Sequence, residues 1–413
     1  MAFHFSRDTK VYMKFLVDAN SSATDTLYEI PVLDGFSFSQ ATNTSEITLN
    51  EAADGSTLNS KRGRMMFNDS LAPVEWSFST YMRPTTSAAA NAWVSNGHAG
   101  SAKKFAVEGP LWAAMSGTTY SYASNPGATA GADVVPGSWE PNIFNFENSN
   151  KVALGVFDLY FVLGAANDSD GTYDTAADGN VTIYKVANCS VGSASVDFDI
   201  DGLAQVAWSG QGSVVEEHLK LVTGTGTGFA ATKGLVNEGV SSTSNFVRQK
   251  LTSMTAVYSA ANSTGTDMSA GDVTYNLTLT GGNITIENNL TYLTPETLGV
   301  VNQPLGHVVG TRSVSGNFTC YLNTVDNGSA ELFENIIEGT GQITNAFNLN
   351  FAIGGSGQTP RVDVAIPRAH FEVPTHSIED VISLDVAFHG LGADLSDATI
   401  QSGESEIKIT YQS

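Results

Sequence analysis

The chain has 413 residues with 42 acidic and 19 basic side chains, a formal charge of −23, yet only 15% of its residues are charged and 41% are hydrophobic. So few Lys and Arg cannot build the basic stripe that neutralises a nucleic-acid backbone, which excludes tight DNA binding, and the apolar content excludes a disordered acidic tail. The longest apolar stretch, Val152–Ala166, is broken by Asp158 and is shorter than the ~20 residues a membrane helix needs, while Met1–Phe15 lacks the apolar block of a secretory signal.

Along the chain, apolar and small polar residues alternate with the two-residue period of half-buried strands. Tyr28–Leu33 runs into Asp34-Gly35 and then Phe36-Ser37-Phe38-Ser39, which predicts a hairpin. Strands follow at Trp76–Ser79, Phe157–Phe161, Val196–Ile200 and Val381–Val386, and 40 glycines with many Thr, Ser and Asn supply the turns. Helical patterning is confined to Ala-rich Ser87–Val94, to Pro110–Met115 and to Ser329–Ile337, where Leu332, Phe333, Ile336 and Ile337 share one face. The expected fold is mainly β, with one or two helices per unit.

Comparison of the chain with itself predicts an internal duplication. Tyr28–Gly35 resembles Tyr275–Gly282, Phe78–Met82 resembles Phe318–Leu322, and Leu111-Trp112 resembles Leu332-Phe333. Phe157–Phe161 then resembles Phe347–Phe351, Ile183 resembles Ile366, and Val206–Trp208 resembles Val386–Phe388, all in one order. The spacing between partners falls from 247 to 180 residues, so the first copy is longer by 67. Most of the excess lies between Tyr81 and Leu111 and between Trp112 and Phe157, stretches that read as surface loops. The expected organisation is a first domain over 1–212 with loop insertions, a linker region over 213–245 containing the run Thr223–Gly228, and a second domain over 246–413.

No motif for chemistry stands out. The sequence has no nucleophile elbow, no His-Glu-x-x-His and no P-loop, so neither enzyme activity nor a cofactor is expected. Cys189 and Cys320 read as separate packed thiols, and His370, His376 and His389 do not pair at metal spacing. The acidic stretch Asp168–Asp178 lacks the glycine and terminal Glu of an EF-hand and reads as a solvated hairpin tip; no metal site is expected. Trp76, Trp112 and Trp208 fall in the repeated elements and read as core rather than as a sugar-binding face.

Three segments carry a family resemblance: Glu75–Pro84 after a long connection, Phe246–Leu251, and Thr291–Glu296 leading to Gly310-Thr311-Arg312. In these the chain resembles the major tail tube proteins of long-tailed bacteriophages. The resemblance implies two tandem tail-tube-like β-sandwich domains, each with a flanking short helix, whose inner strands join a ring-wide β-barrel. It implies a structural virion protein in stacked rings, either a trimeric pseudo-hexamer or a hexamer of whole chains, conducting the phage genome through an acidic lumen. The partners implied are further copies of the chain, the tail terminator, the baseplate or tail tip and the tape measure protein, with transient passage of DNA and no membrane. The place implied is the virion tail, assembled in the host cytoplasm. The long connections Asn50–Pro73 and Leu293–Val314 are implied to stack rings, with Lys61, Arg62, Arg64 and Arg312 meeting carboxylates of the neighbouring ring. From the residues alone, a β-sandwich carbohydrate-binding or adhesin protein is the other reading.

Overall fold

The structure is a computed structural model that describes residues 9–15, 27–47, 65–87, 103–117, 143–146, 154–163, 182–217, 235–236, 245–259, 271–298, 301–338, 347–378, 381–392 and 405–412. The first part of the chain forms β1 (Lys10–Phe15), β2 (Leu27–Ile30), β3 (Ser37–Ile47), β4 (Met65–Tyr81), β5 (Pro84–Ser87) and β6 (Lys103–Ala106). Then come α1 (Gly109–Ser116), β7 (Ile143–Phe146), β8 (Phe157–Leu163), β9 (Thr182–Phe198), β10 (Gln205–Gly212) and β11 (Val214–Glu217). The second part forms β12 (Leu235–Val236), β13 (Ser253–Tyr258), β14 (Val273–Tyr275), β15 (Leu279–Glu287), β16 (Leu290–Leu293), β17 (Gly306–Val309) and β18 (Ser313–Tyr321). It ends with α2 (Ser329–Glu338), β19 (Phe347–Ile353), β20 (Arg361–Phe371), β21 (Thr375–Ser377), β22 (Ser383–Gly390) and β23 (Ile407–Gln412).

The protein is mainly β, as its two-residue periodicity requires. One antiparallel sheet runs through both parts in the order β3–β4–β10–β9–β15–β18–β22–β21, and the end of β20 shares the last position with β21. Two further sheets lie against it. One has the order β12–β2–β1–β8–β9–β11, with β12 joining β2 in parallel, and the other β14–β13–β19–β20–β23–β7. The long strands β9 and β20 belong to both layers, their first halves in a flanking sheet and their ends in the continuous one.

The hydrophobic core fills the space between layers and passes from one half to the other. Trp112 meets Trp208 edge-on at 4.5 Å, and Phe198 of β9 lies 5.3 Å from Phe351 of β19. Trp76, Trp112 and Trp208 are all buried, as is each residue of α1. Pro110 starts that helix without wasting a donor, and Gly117, at φ +78°, closes it in the left-handed region. The helix α2 is amphipathic, and the Asn327 N–H at its start donates to Glu331.

Size complementarity across the ladder is reversed between the halves. Trp76 of β4 lies opposite Gly210 of β10, whereas Gly316 of β18 lies opposite Phe388 of β22. A Cβ at Gly210 would stand 2.2 Å from the Ser190 carbonyl oxygen and 2.3 Å from the Trp76 ring; at Gly316 it would stand 2.2 Å from the Asn283 carbonyl oxygen and 2.7 Å from the Phe388 ring. Gly210→Ala and Gly316→Ala are each expected to cost about 1–3 kcal/mol, the range for overpacking a close-packed core. Urea denaturation of each variant reads this, and unchanged midpoints would contradict it.

Three expectations are corrected. Asp34-Gly35 is a turn, but β2 pairs with β1 and β3 with β4, so the chain changes sheets there instead of making a hairpin; Val32 bridges to Thr80 on the way. The connection expected over Asn50–Pro73 is strand from Met65 onward, and Leu293–Val314 includes β17, paired with β16. The long insertion after Trp112 is not wholly a surface loop, because β7 inserts the buried Phe144 and Phe146 beside the C-terminal strand β23. Ser87–Val94, apart from Ser87, and the run Thr223–Gly228 lie outside the described residues.

Candidate functional site

Residues directly opposite one another in an antiparallel ladder share a face, so pairing assigns each side chain of the continuous sheet to the core or to the open side. The core side carries Trp76, Phe78, Trp208, Val196, Ile284, Phe318 and Phe388, all buried. On the other side, Ser39 lies opposite Glu75, Glu75 opposite Gln211, and Ser77 opposite Ser209. Asn283 lies opposite Asp197 and Asn317, Thr285 opposite Ser195 and Ser315, and Thr319 opposite Asp385. This face is a carpet of hydroxyls and amides, tied together by contacts such as Ser37 Oγ to Ser77 Oγ at 2.8 Å, Ser193 Oγ to Ser209 Oγ at 3.1 Å and Ser195 Oγ to Thr285 Oγ1 at 3.2 Å.

The charge on this face comes from carboxylates, and near one edge His389, opposite Ser315, lies 3.0 Å from Glu372. Glu75, Asp197, Glu287 and Asp385 stand on the face, two from each half, and β3, β4, β10, β15, β18, β21, β22 and the last eight residues of β9 contain no Lys or Arg. A shallow concavity of about 470 Å³, lined in part by Ser37, Ser39, Glu75, Ser193, Gln211 and Glu287, lies on the same face. Counting carboxylates did not single out these four; the missed signal was their place in the alternation, each flanked in its strand by core residues.

Both long strand connections leave the sheet at one end. β3 and β4 continue as an arm in which Ile47, Met65, Met66 and Phe67 are exposed. The second connection reaches the arm: Leu71 N–H donates to the Asn302 carbonyl at 2.8 Å and Asn302 N–H to the Asp69 carbonyl at 3.2 Å. Leu298 and Leu305 of that connection are also exposed.

Of the residues expected to stack rings, Lys61, Arg62 and Arg64 lie outside the described residues. Arg312 is placed elsewhere than expected. Its side chain is buried, with Nε donating to Asn288 at 3.2 Å, Nη1 lying 3.8 Å from the Glu406 carboxylate and the guanidinium 5.2 Å from the Phe146 ring centre. It therefore ties β18 to the segment before β23 and to β7. The Asp168–Asp178 stretch lies outside the described residues, and among those described no group of His, Cys, Asp and Glu is arranged to hold a metal. Cys189 and Cys320 are buried free thiols, His370 and His389 sit opposite each other on β20 and β22, and His376 stacks edge-on against Phe333 at 4.5 Å.

A second buried polar group joins the halves. Trp112 Nε1–H donates to Tyr411 Oη at 2.8 Å, the Tyr411 hydroxyl donates to Glu108, and the Arg83 backbone N–H reaches the same carboxyl at 3.3 Å. Burial pushes the Glu108 carboxyl up to about 7, opposed by the Tyr411 hydrogen bond. A carboxyl whose folded pKa lies above its unfolded value near 4.5 binds its proton more tightly in the native state. Its stabilisation is complete below the unfolded pKa and is lost as the pH rises to about 7, a difference of about 3 kcal/mol. Relative to Glu108→Gln, the protein is expected to lose that amount between pH 4.5 and 7.5 in urea titrations; parallel profiles would contradict it.

No family model matches the chain. Over 399 residues the chain is 28% identical to "Tail tube protein pb6" of Escherichia phage T5, an alignment that covers 96% of this chain and 74% of the phage protein.

Proposed function

The chain is a relative of the phage tail tube proteins, a structural component of the virion tail, and from this premise we propose that it is the major tube subunit, forming stacked rings that conduct the genome through an acidic bore. The observation that carries the reading is the continuous sheet, with its core on one side and on the other a polar face whose strands β3, β4, β10, β15, β18, β21 and β22 contain no Lys or Arg. Such a sheet, bent round until its polar face is inward, lines a channel with hydroxyls and carboxylates. Repulsion between that wall and DNA acts over a Debye length of ~8 Å, so the duplex slides without sticking.

The halves are two copies of one tube domain. In each, four strands enter the continuous sheet, and a helix comes before the flanking strand, β8 or β19, that pairs with the long strand bridging the layers. By pairing, Val186 holds the place of Ile366, since each lies opposite the leucine that is third in its neighbouring strand, Leu159 of β8 and Leu349 of β19. With Phe78 equivalent to Phe318, the register makes Gly210, and not the expected Trp208, the counterpart of Phe388, so the reversed Trp76–Gly210 and Gly316–Phe388 pairs fill one site in two ways. Three chains then supply six ring positions and 24 strands. At a spacing of ~4.8 Å and a tilt of ~40°, such a barrel is about 48 Å across between backbones, wide enough for a duplex.

Stacking uses the end where both long connections emerge, with Lys61, Arg62 and Arg64 pairing with carboxylates of the next ring and the exposed apolar residues of the arm covered on contact. Assembly takes place in the host cytoplasm, and the tube ends meet the tail terminator and the tip or baseplate, with the tape measure protein inside. A carbohydrate-binding reading lacks support, since Trp76, Trp112 and Trp208 are all buried. Negative-stain microscopy of the purified chain is expected to show rings or tubes, and single particles of one chain under all conditions would overturn the proposal.

A further inference from the structure

Resting on the ring reading, the junction between the two halves also specifies the junction between chains. Inside the chain, β9 pairs antiparallel with β15, placing Phe198 opposite Gly282, Val196 opposite Ile284, Ser195 opposite Thr285 and Ala194 opposite Ile286. At the two ends of the same sheet, β3 and β21 each pair on one side among the described residues, with β4 and β22 respectively. These open edges are the counterparts of the strands that meet inside. Phe38 lies opposite Trp76 as Ile284 lies opposite Gly316, in strands whose Phe78 and Phe318 correspond.

The correspondence at the other edge includes a shared irregularity. In β9, Val191 lies opposite Gly210, Gly192 is looped out, and Ser193 resumes opposite Ser209. In the second half, Phe371 lies opposite Phe388, Glu372 donates its N–H to the Ala387 carbonyl, and Thr375 resumes opposite Asp385. One extra residue at one place in both strands makes Val191–Phe198 equivalent to Phe371–Ile378 residue by residue.

We propose that neighbouring chains join by antiparallel pairing of β21 of one with β3 of the next, in a register that sets Ile378 opposite Phe36, Ser377 opposite Ser37, His376 opposite Phe38 and Thr375 opposite Ser39. The pairing keeps both faces of the sheet intact: hydroxyls meet hydroxyls on the polar side, and Ile378, 80% exposed in the single chain, meets Phe36 on the core side. A slip of one residue would turn hydroxyls into the core. Ser39 and Thr375 repeat the Thr285–Ser195 contact, whose oxygens stand 3.2 Å apart. Pairing also removes two open sheet edges, and because the contact is head-to-tail it propagates until a ring closes.

The test is a cysteine pair in the full chain, Ser39→Cys with Thr375→Cys, assembled and then oxidised. The native Cys189 and Cys320 are buried and do not compete. A ladder of covalent oligomers ending at three chains on a non-reducing gel is expected, absent from each single-cysteine variant, while the shifted pair Ser37→Cys with Thr375→Cys stays unlinked. Ser37→Cys with Ser377→Cys is a second in-register pair, to be used if the first impairs assembly. Tubes in which only the shifted pair links, or no pair links, overturn the register and leave the tube reading standing. Failure of the unmodified chain to assemble overturns both.

Discussion

Tubes carrying Glu75→Lys, Asp197→Lys, Glu287→Lys and Asp385→Lys together are expected to hold duplex DNA that tubes of the unmodified chain release. The four residues stand on exposed positions of one sheet face, two in each half, so folding loses little by their replacement. Each substitution moves the local charge by two units, and the surrounding strands contain no Lys or Arg to mask the change. Binding by a lysine-lined bore is counterion release, and ~6–10 phosphate contacts make it fall by about 10³–10⁵-fold between 50 and 200 mM salt. The variant is assembled with a short labelled duplex present, and co-sedimentation is followed against salt. Equal retention by both kinds of tube, or none by the lysine tubes at 50 mM salt, would show that this face does not line the bore.

Arg312→Ala is expected to destabilise the unassembled chain by about 3–5 kcal/mol, the cost of breaking a buried ion pair by removing one partner. Truncation takes the guanidinium from the buried Glu406 carboxylate, from the Asn288 side-chain oxygen that accepts from it and from the Phe146 ring. These contacts join β7 of the first half to β18 and the C-terminal region of the second, so the loss is read in the urea midpoint of the single chain, before any ring forms. A residue that served only in stacking would leave that midpoint unchanged and impair tubes alone, and that result would return Arg312 to the surface role its position after Gly310 suggests.

Much of the fold was legible in the sequence because half-buried strands write their faces into it. The alternation in Trp76–Ser79 and Val196–Phe198 assigns core and open sides, although β9 ends before the exposed Ile200, and the helical face in Ser329–Ile337 reappears as α2. What stayed hidden was long-range pairing. Nothing in Ile143–Phe146 marks it as a partner of a strand more than 260 residues away, and Asp34-Gly35 carries the same turn chemistry whether the chain returns to its neighbour or crosses to another layer. The place of Arg312 is hidden for a related reason: its connection is long and punctuated by Pro and Gly, but the residue itself sits at the foot of β18 against the core. The acidic face was likewise invisible as a count and became legible once the register set Glu75, Asp197, Glu287 and Asp385 on one side.

If the subunit builds a conduit, this sheet curves with its polar side inward. Electron cryomicroscopy of the assemblies formed by the purified chain tests this most directly. Rings of three chains are expected, with a continuous barrel of strands and with Glu75, Asp197, Glu287 and Asp385 facing the bore. A reconstruction with that face turned outward, or buried against the next ring, would contradict it.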